Sequence, residues 1–133
     1  MNGATVHVYS LSKDGNTKVS AHFRVREFAC TDGTDTVFLS PRLVEVLESI
    51  RVRFNTPVTV SSGYRTEARN KAVGGSAYSR HKYGQAADIC VSGVKPDRVA
   101  EYAETLLKDC GGIGVYSDFV HIDVRNEKSR WKG

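Results

Sequence analysis

The sequence has no long apolar run and few cysteines, and each absence excludes a class of protein. No stretch approaches the roughly 18 apolar residues that a membrane span requires, so no membrane partner is expected. The three cysteines include no C-x-x-C pair, which argues against a disulfide framework and against a zinc ribbon. The first twenty residues contain no apolar block of signal-peptide length, so we expect a protein made in the cytoplasm without a signal peptide.

The chain also lacks a linker, an internal repeat and a low-complexity segment, so we expect one domain over residues 1–133. Its 40% hydrophobic and 26% charged residues are close to globular averages, which excludes a disordered chain. The net charge of +4 favours anionic partners in general. The densest basic stretch, 125–132, is interpreted as a solvated chain end, and neither a nucleic-acid partner nor an oligomer is expected.

The hydrophobic pattern predicts two amphipathic helices and several short strands. The first helix begins at Ser40-Pro41, a capping hydroxyl followed by proline, and stops at Asn55. The second begins at Lys95-Pro96 and stops at Gly111-Gly112. Because no long βαβ rhythm is present, we predict an α+β fold with a small antiparallel sheet flanked by helices. The predicted strands are 4–9, 58–61, 113–116 and 119–124, and residues 1–20 form either an N-terminal arm or an edge hairpin.

Two of the four histidines lie in segments with the composition of a metal site. His81 and Asp88 are too far apart in sequence for one helical face, but they suit a loop that bends at Gly84 and turns back into a strand. His121, on a neighbouring antiparallel strand, would complete a His/Asp/His set. A catalytic zinc ion takes three nitrogen or oxygen ligands and leaves one position to water. Zinc is therefore the cofactor that this pattern predicts.

Hydrolysis at such a site also needs a proton acceptor and a donor for the developing oxyanion. Asp118 precedes His121 by three residues and is the candidate acceptor, with a turn-forming aspartate as the alternative. Arg65 follows a predicted strand, and its guanidinium suits a substrate carboxylate or a polarised carbonyl. The alternative for Arg65 is a solvated side chain after a turn.

The first of these segments resembles a known motif in full. Ser79-x-His81-x-x-Gly84-x-Ala86-x-Asp88 matches the S-x-H-x-x-G-x-A-x-D motif of the zinc D-alanyl-D-alanine peptidases. This is the peptidase M15 family, whose fold is shared with the Hedgehog signalling domain. The order of the accompanying segments is similar too, over nearly the whole chain.

The resemblance implies roles for individual residues. His81, Asp88 and His121 would be the ligands of one zinc ion, Asp118 the general base and Arg65 the electrophilic or carboxylate-binding partner. In this family an E-x-x-H or H-x-H element supplies the base and the third ligand. The chain departs from it twice, since Asp118 replaces the usual Glu and Phe119 stands where other members have a histidine.

Three further residues are predicted to support the site. Ser79 belongs to the loop beside the metal, where we expect its hydroxyl to form a hydrogen bond that shapes the site. Asp123 shares a strand face with His121 and either orients that ring or forms a surface pair with Arg125. Tyr64 lines the cleft or, alternatively, packs in the core or at the rim.

The function that follows is a zinc-dependent peptidase that cuts a peptide bond in peptidoglycan stem peptides, as a D,D-carboxypeptidase or a lytic endopeptidase. The alternative is a non-catalytic, metal-containing module of the same fold that binds the cell wall or has a structural role. The protein is expected to act on the cell wall. A compact chain of this kind also suits a phage or prophage lytic enzyme.

Overall fold

Seven strands and four helices make up the part of the chain that this computed structural model describes, residues 4–133. Two short 3-10 helices lie at Val25–Phe28 and Arg80–Tyr83. The helices are α1 (Leu11–Asp14), α2 (Pro41–Phe54), α3 (Glu67–Ala72) and α4 (Pro96–Leu107). The strands are β1 (His7–Ser10), β2 (Thr36–Leu39), β3 (Val58–Ser62), β4 (Ala86–Val91), β5 (Gly112–Val115), β6 (Val120–Asp123) and β7 (Ser129–Lys132).

The main sheet has five strands in the order β3-β4-β6-β5-β7, and β1 pairs with β2 in a separate two-stranded sheet. The pairs β3–β4, β4–β6 and β6–β5 are antiparallel. The predicted α+β class with an antiparallel sheet flanked by helices is thus confirmed. One pairing was not predicted, because β7 runs parallel to β5 at the edge of the sheet.

Both long helices begin where the sequence predicts. The Ser40 hydroxyl accepts a hydrogen bond from the backbone N–H of Leu43 at 3.3 Å, and Asn55 ends α2 in the left-handed conformation with φ 51°. Helix α4 begins at Pro96 and ends at Leu107, ahead of the predicted glycine pair. Lys108, with φ 55°, terminates it instead.

The strands of the main sheet present different chemistry on their two faces. Ile89, Val120 and Ile122 belong to the hydrophobic core that also contains the buried side chains of α2 and α4. Asp88 and His121 alternate with them and therefore lie on the opposite face. The two long helices, α2 and α4, thus pack against one face of the sheet, and the polar residues of interest lie on the other.

The C-terminal segment corrects the sequence interpretation. It is not a solvated end, because residues 129–132 form β7. Arg130 donates hydrogen bonds to Glu104 at 2.5 and 3.1 Å and to the backbone carbonyl of Gly111 at 2.5 Å. Lys128 lies 3.6 Å from the same Glu104 carboxylate. A basic stretch in sequence is thus partly neutralised by an acidic group of α4.

At the other end of the chain, the predicted N-terminal strand is present over His7–Ser10 and pairs with Thr36–Leu39. Residues 1–3 of the predicted arm lie outside the described residues. Over residues 4–133, no helix combines the length and the apolar character needed to cross a bilayer.

Candidate metal centre

The loop before β4 holds His81 in a fixed position. Ser79 caps the 3-10 helix, and its hydroxyl accepts a hydrogen bond from the backbone N–H of His81 at 3.3 Å, as expected for a loop-shaping serine. Gly84 ends the helix with φ +70°, and a Cβ there would collide with the backbone carbonyl of Phe38. The chain then enters β4, which carries Asp88.

Strand register brings the third residue to the same place. Asp88 of β4 lies directly opposite His121 of β6, so their side chains share one face of the sheet. Asp88 Oδ1 lies 3.0 Å from His121 Nδ1 and 3.3 Å from His81 Nε2. One potential ligand atom from each residue fits within 4.8 Å of the others. The structure thus brings together the three residues that the sequence nominates as ligands.

Hydrogen bonds orient both imidazole rings toward this common point. His81 Nδ1 lies 2.8 Å from the carbonyl oxygen of Gly63, which can only accept, so Nδ1 carries the proton and Nε2 is unprotonated in the neutral ring. His121 Nε2 lies 2.8 Å from Asp123 Oδ2, which leaves Nδ1 as the inward nitrogen. Metal-binding histidines usually donate their second N–H to such an acceptor. Two nitrogens and one carboxylate oxygen fit a single divalent ion such as zinc.

The carboxylates of the site are ionised at neutral pH. Burial alone would raise the pKa of Asp88, but the hydrogen bonds with His121 and His81 outweigh it and hold the pKa well below its usual range. Burial is likewise outweighed for Asp123, whose contacts with His121 and Arg125 lower its pKa. Metal ligands must be deprotonated to bind, so Asp88 is already in the binding form.

Asp123 is fully buried, and it contacts both His121 and Arg125, the two partners between which the sequence left its role open. It contacts His121 and also accepts hydrogen bonds from Arg125 Nε at 2.9 Å and Nη2 at 2.6 Å. The backbone N–H of Gly112 donates to it at 2.9 Å. The Asp–Arg pair is therefore not an exposed surface pair, because its carboxylate lies beneath His121.

Arg65 reaches the site from the loop after β3. Its Nη2 lies 3.6 Å from Asp88 Oδ2, whereas the two histidine nitrogens lie near the other carboxylate oxygen, Oδ1. Its Nε donates to the Ser62 hydroxyl at 3.1 Å and its Nη1 to Asn70 Oδ1 at 3.3 Å. A guanidinium has five N–H donors, so these contacts leave some of them unused, and Arg65 is one of the residues that line the cleft described below.

Sequence analysis missed Asn70, which is 2% exposed in the short helix α3. Its Oδ1 accepts from Arg65, and its Nδ2 donates to the carbonyl of Ser76 at 2.8 Å. It therefore ties the arginine to the loop that borders the site. No local pattern indicates this role, because a polar residue in a six-residue helix is ordinarily solvated.

Trp131 of β7 was also missed as a site residue. Its ring lies 5.1 Å from that of His121, and its Nε1 donates to the hydroxyl of Tyr116 at 2.9 Å. The ring passes over Gly114, where any Cβ would collide with it. The Cζ atom of Arg125 lies over the same indole, 5.6 Å from the ring centroid. The edge strand therefore supplies an aromatic wall beside the proposed ligand.

Two predicted residues are not brought to the site. Tyr64 is 9% exposed and packs edge-to-face against Phe38, with ring centroids 5.1 Å apart, so the core-packing alternative applies to it. Asp118 is exposed in the four-residue connection between β5 and β6, where the backbone N–H of Tyr116 donates a hydrogen bond to the carbonyl oxygen of Phe119 at 3.0 Å.

The proposed ligands line an open cleft of about 300 Å³. Neither Asp118 nor Tyr64 is among the described residues that line it, and Asp88 is the single acidic group that does. The other lining residues are three arginines, three aromatic residues and three small residues: Arg65, Arg80, Arg125, Tyr116, Phe119, Trp131, Gly75, Ser76 and Ser79.

Comparison with known proteins agrees with the motif. A family model described as Peptidase M15 matches residues 21–123, which confirms the resemblance drawn from the sequence. The probable peptidoglycan L,D-endopeptidase MepK of Haemophilus influenzae is 30% identical over 105 residues, which cover 71% of this chain and 55% of that protein. Peptidoglycan L,D-endopeptidase MepK of Escherichia coli K12 is 34% identical over 95 residues, 65% of this chain and 51% of that protein. The chain thus spans about half the length of the curated relatives it matches.

Proposed function

The chain belongs to the peptidase M15 family, and from this we propose that it hydrolyses a peptide bond in the stem peptides of peptidoglycan with the help of one zinc ion. The observation that carries the proposal is the donor set of the cleft. Two imidazole nitrogens, each oriented by a hydrogen bond on its far side, converge with Asp88 Oδ1 on one point. In our proposal His81, Asp88 and His121 hold the ion.

A bound zinc ion polarises a carbonyl and lowers the pKa of a bound water to about 7. Residues of the chain itself have the remaining proposed roles. Asp123 keeps the His121 ring in its binding orientation, and the positive charge of Arg65 lies 3.6 Å from the second oxygen of Asp88. The free N–H groups of Arg65 are then in place to stabilise negative charge on the carbonyl oxygen of the substrate.

The bond cut is proposed to be an internal one. The two relatives are named as L,D-endopeptidases, which supports an endopeptidase over a D,D-carboxypeptidase. The cleft also suits a substrate that carries negative charge, because three arginines and one carboxylate line it. Both features fit a peptidoglycan stem peptide, which bears free carboxylates.

The test is digestion of purified peptidoglycan by the zinc-loaded protein, with the released fragments identified by mass spectrometry. We expect new amino termini that disappear with a chelator and return when zinc is restored. His81→Ala should abolish release, with His7→Ala as the matched control, because His7 is exposed on β1. Zinc binding without release would contradict the enzyme and support the non-catalytic alternative.

Asp118 remains the proposed proton acceptor, although it lies outside the cleft in this structure. Catalytic contacts often form only in the substrate complex, so the free geometry does not exclude the role. Asp118→Asn is expected to lower the rate of hydrolysis about 100-fold, the lower end for loss of a general base. Zinc content should stay unchanged, since Asp118 contacts none of the proposed ligands.

The matched control for this variant is Asp109→Asn, an equally exposed carboxylate on another loop. Measurement of initial rates together with zinc content separates catalysis from metal binding. An Asp118→Asn protein with the parental rate would refute the assignment, and the acceptor would then have to be a group that lines the cleft.

A further inference from the structure

Three arginines line the cleft, and their side chains are held to different degrees. Arg125 donates two hydrogen bonds to the buried carboxylate of Asp123. Arg65 is held by hydrogen bonds from two of its nitrogens and lies 3.6 Å from Asp88. Arg80 differs from both, because its guanidinium donates no hydrogen bond to any acceptor within residues 4–133.

The nearest carboxylate to Arg80 is a weak competitor. Glu127 Oε2 lies 4.0 Å from Arg80 Nη2, which is too far for a hydrogen bond. The Glu127 side chain is 76% exposed, whereas that of Arg80 is 32% exposed. Exposed ion pairs of this kind contribute little, so Glu127 leaves the guanidinium available to another anion.

The backbone of Arg80 is fixed next to the proposed ligands. Arg80 immediately precedes His81 in the 3-10 helix, and its carbonyl oxygen accepts a hydrogen bond from the backbone N–H of Gln85 at 3.1 Å. The Cα is therefore anchored, while the end of the side chain is not. This combination suits a residue that binds a ligand, because the planar guanidinium matches a carboxylate with two parallel hydrogen bonds.

We propose that Arg80 binds a carboxylate of the substrate close to the bond that is cut, and thereby selects stem peptides with free carboxylates over amidated ones. This inference rests on the proposed function, since it assigns a substrate group to the same cleft. It also divides the labour among the arginines. Arg125 positions the carboxylate of Asp123, Arg65 faces the carbonyl oxygen of the substrate, and Arg80 binds the carboxylate of the substrate.

The experiment compares two probes on the full chain as purified. One is a soluble stem peptide released from peptidoglycan with its carboxylates free, and the other is the same peptide with its carboxylates converted to amides. Binding is followed by the fluorescence of Trp131, the only tryptophan of the chain, which lies in the cleft wall. Hydrolysis is followed in the same samples by mass spectrometry.

Arg80→Gln is expected to raise the Kd for the free peptide about tenfold, the size expected for loss of a charge-assisted hydrogen bond. The Kd for the amidated peptide should not change with this substitution. Arg98→Gln is the matched control, an exposed arginine of α4 across the sheet, and should change either Kd less than about twofold because distant surface charges are screened.

Three results would overturn the carboxylate subsite: no binding of the free peptide by the parent protein, an unchanged Kd in Arg80→Gln, or an equal loss for both peptides. If the parent protein cleaves peptidoglycan in any of these cases, the proposed function stands without the subsite. If the parent binds the free peptide through Arg80 but never cleaves, the subsite stands and the proposed function fails.

Discussion

Asp88→Asn is expected to abolish hydrolysis, with a fall of at least about 1,000-fold, and to remove stoichiometric zinc from the purified protein. The size of the loss follows from the several kcal/mol that a bound metal contributes to a hydrolytic transition state, at about tenfold per 1.4 kcal/mol. Asparagine keeps the shape of the side chain but removes the charge that faces both imidazoles. It also removes the partner of Arg65.

Zinc content after dialysis and the release of peptidoglycan fragments are the two measurements for this variant. Asp109→Asn serves as its control, because it makes the same chemical change at an exposed position. An Asp88→Asn protein that retains one zinc ion per chain would show that the carboxylate is not a ligand. Circular dichroism shows whether Asp88→Asn still folds. If it does not, Asp88→Glu is tested instead, because a glutamate that recovers part of the zinc content would show that the carboxylate binds the ion.

Asp123→Ala is expected to have the largest effect on stability, lowering the free energy of unfolding by about 3–5 kcal/mol. The carboxylate is fully buried and accepts hydrogen bonds from Arg125, from Gly112 and from the His121 ring. Its removal leaves the guanidinium without its partner, and breaking a buried pair from one side costs this much. Urea unfolding of parent and variant measures the change.

The same residue should affect metal affinity through His121. Asp123→Asn keeps the volume of the side chain but weakens its hold on the His121 Nε2 proton, and loss of such a supporting contact typically costs 10- to 100-fold in metal affinity. Competition with a zinc chelator gives the affinity, and Asp97→Asn, on the exposed first turn of α4, is the control. An unchanged zinc affinity in Asp123→Asn would contradict the orienting role.

Local sequence was sufficient for the two long helices and for the candidate ligands. The capping serine Ser40 acts on its immediate neighbours, and Gly84 ends a 3-10 helix of four residues, so both signals are visible without the fold. His81 and Asp88 lie within one short loop and strand, and the alternation of β6 decides that His121 faces away from the core. These features depend on contacts within a few residues.

Other questions were decided by contacts between distant segments. Tyr64 directly precedes Arg65 in the sequence, yet its ring packs against Phe38 in the core. The basic tail is an edge strand, because its backbone pairs with β5 and its Arg130 meets Glu104 of α4. No local sequence pattern indicates that Phe38 would contact Tyr64, or that β5 and Glu104 would contact the C-terminal segment.

The order of the residues alone therefore determined the class of fold, the family and the three candidate ligands, since spacing and alternation are properties of a short stretch of chain. The tertiary structure decided which groups surround those ligands and which of them are free. Arg65, Arg80 and Arg125 have the same side chain in the sequence. Hydrogen bonds to Ser62 and Asn70 hold Arg65 and hydrogen bonds to Asp123 hold Arg125, whereas among residues 4–133 Arg80 has only the exposed Glu127 at 4.0 Å and stays available. Hydrogen-bond saturation is a property of what approaches a side chain in space, and it has no trace in the order of the residues.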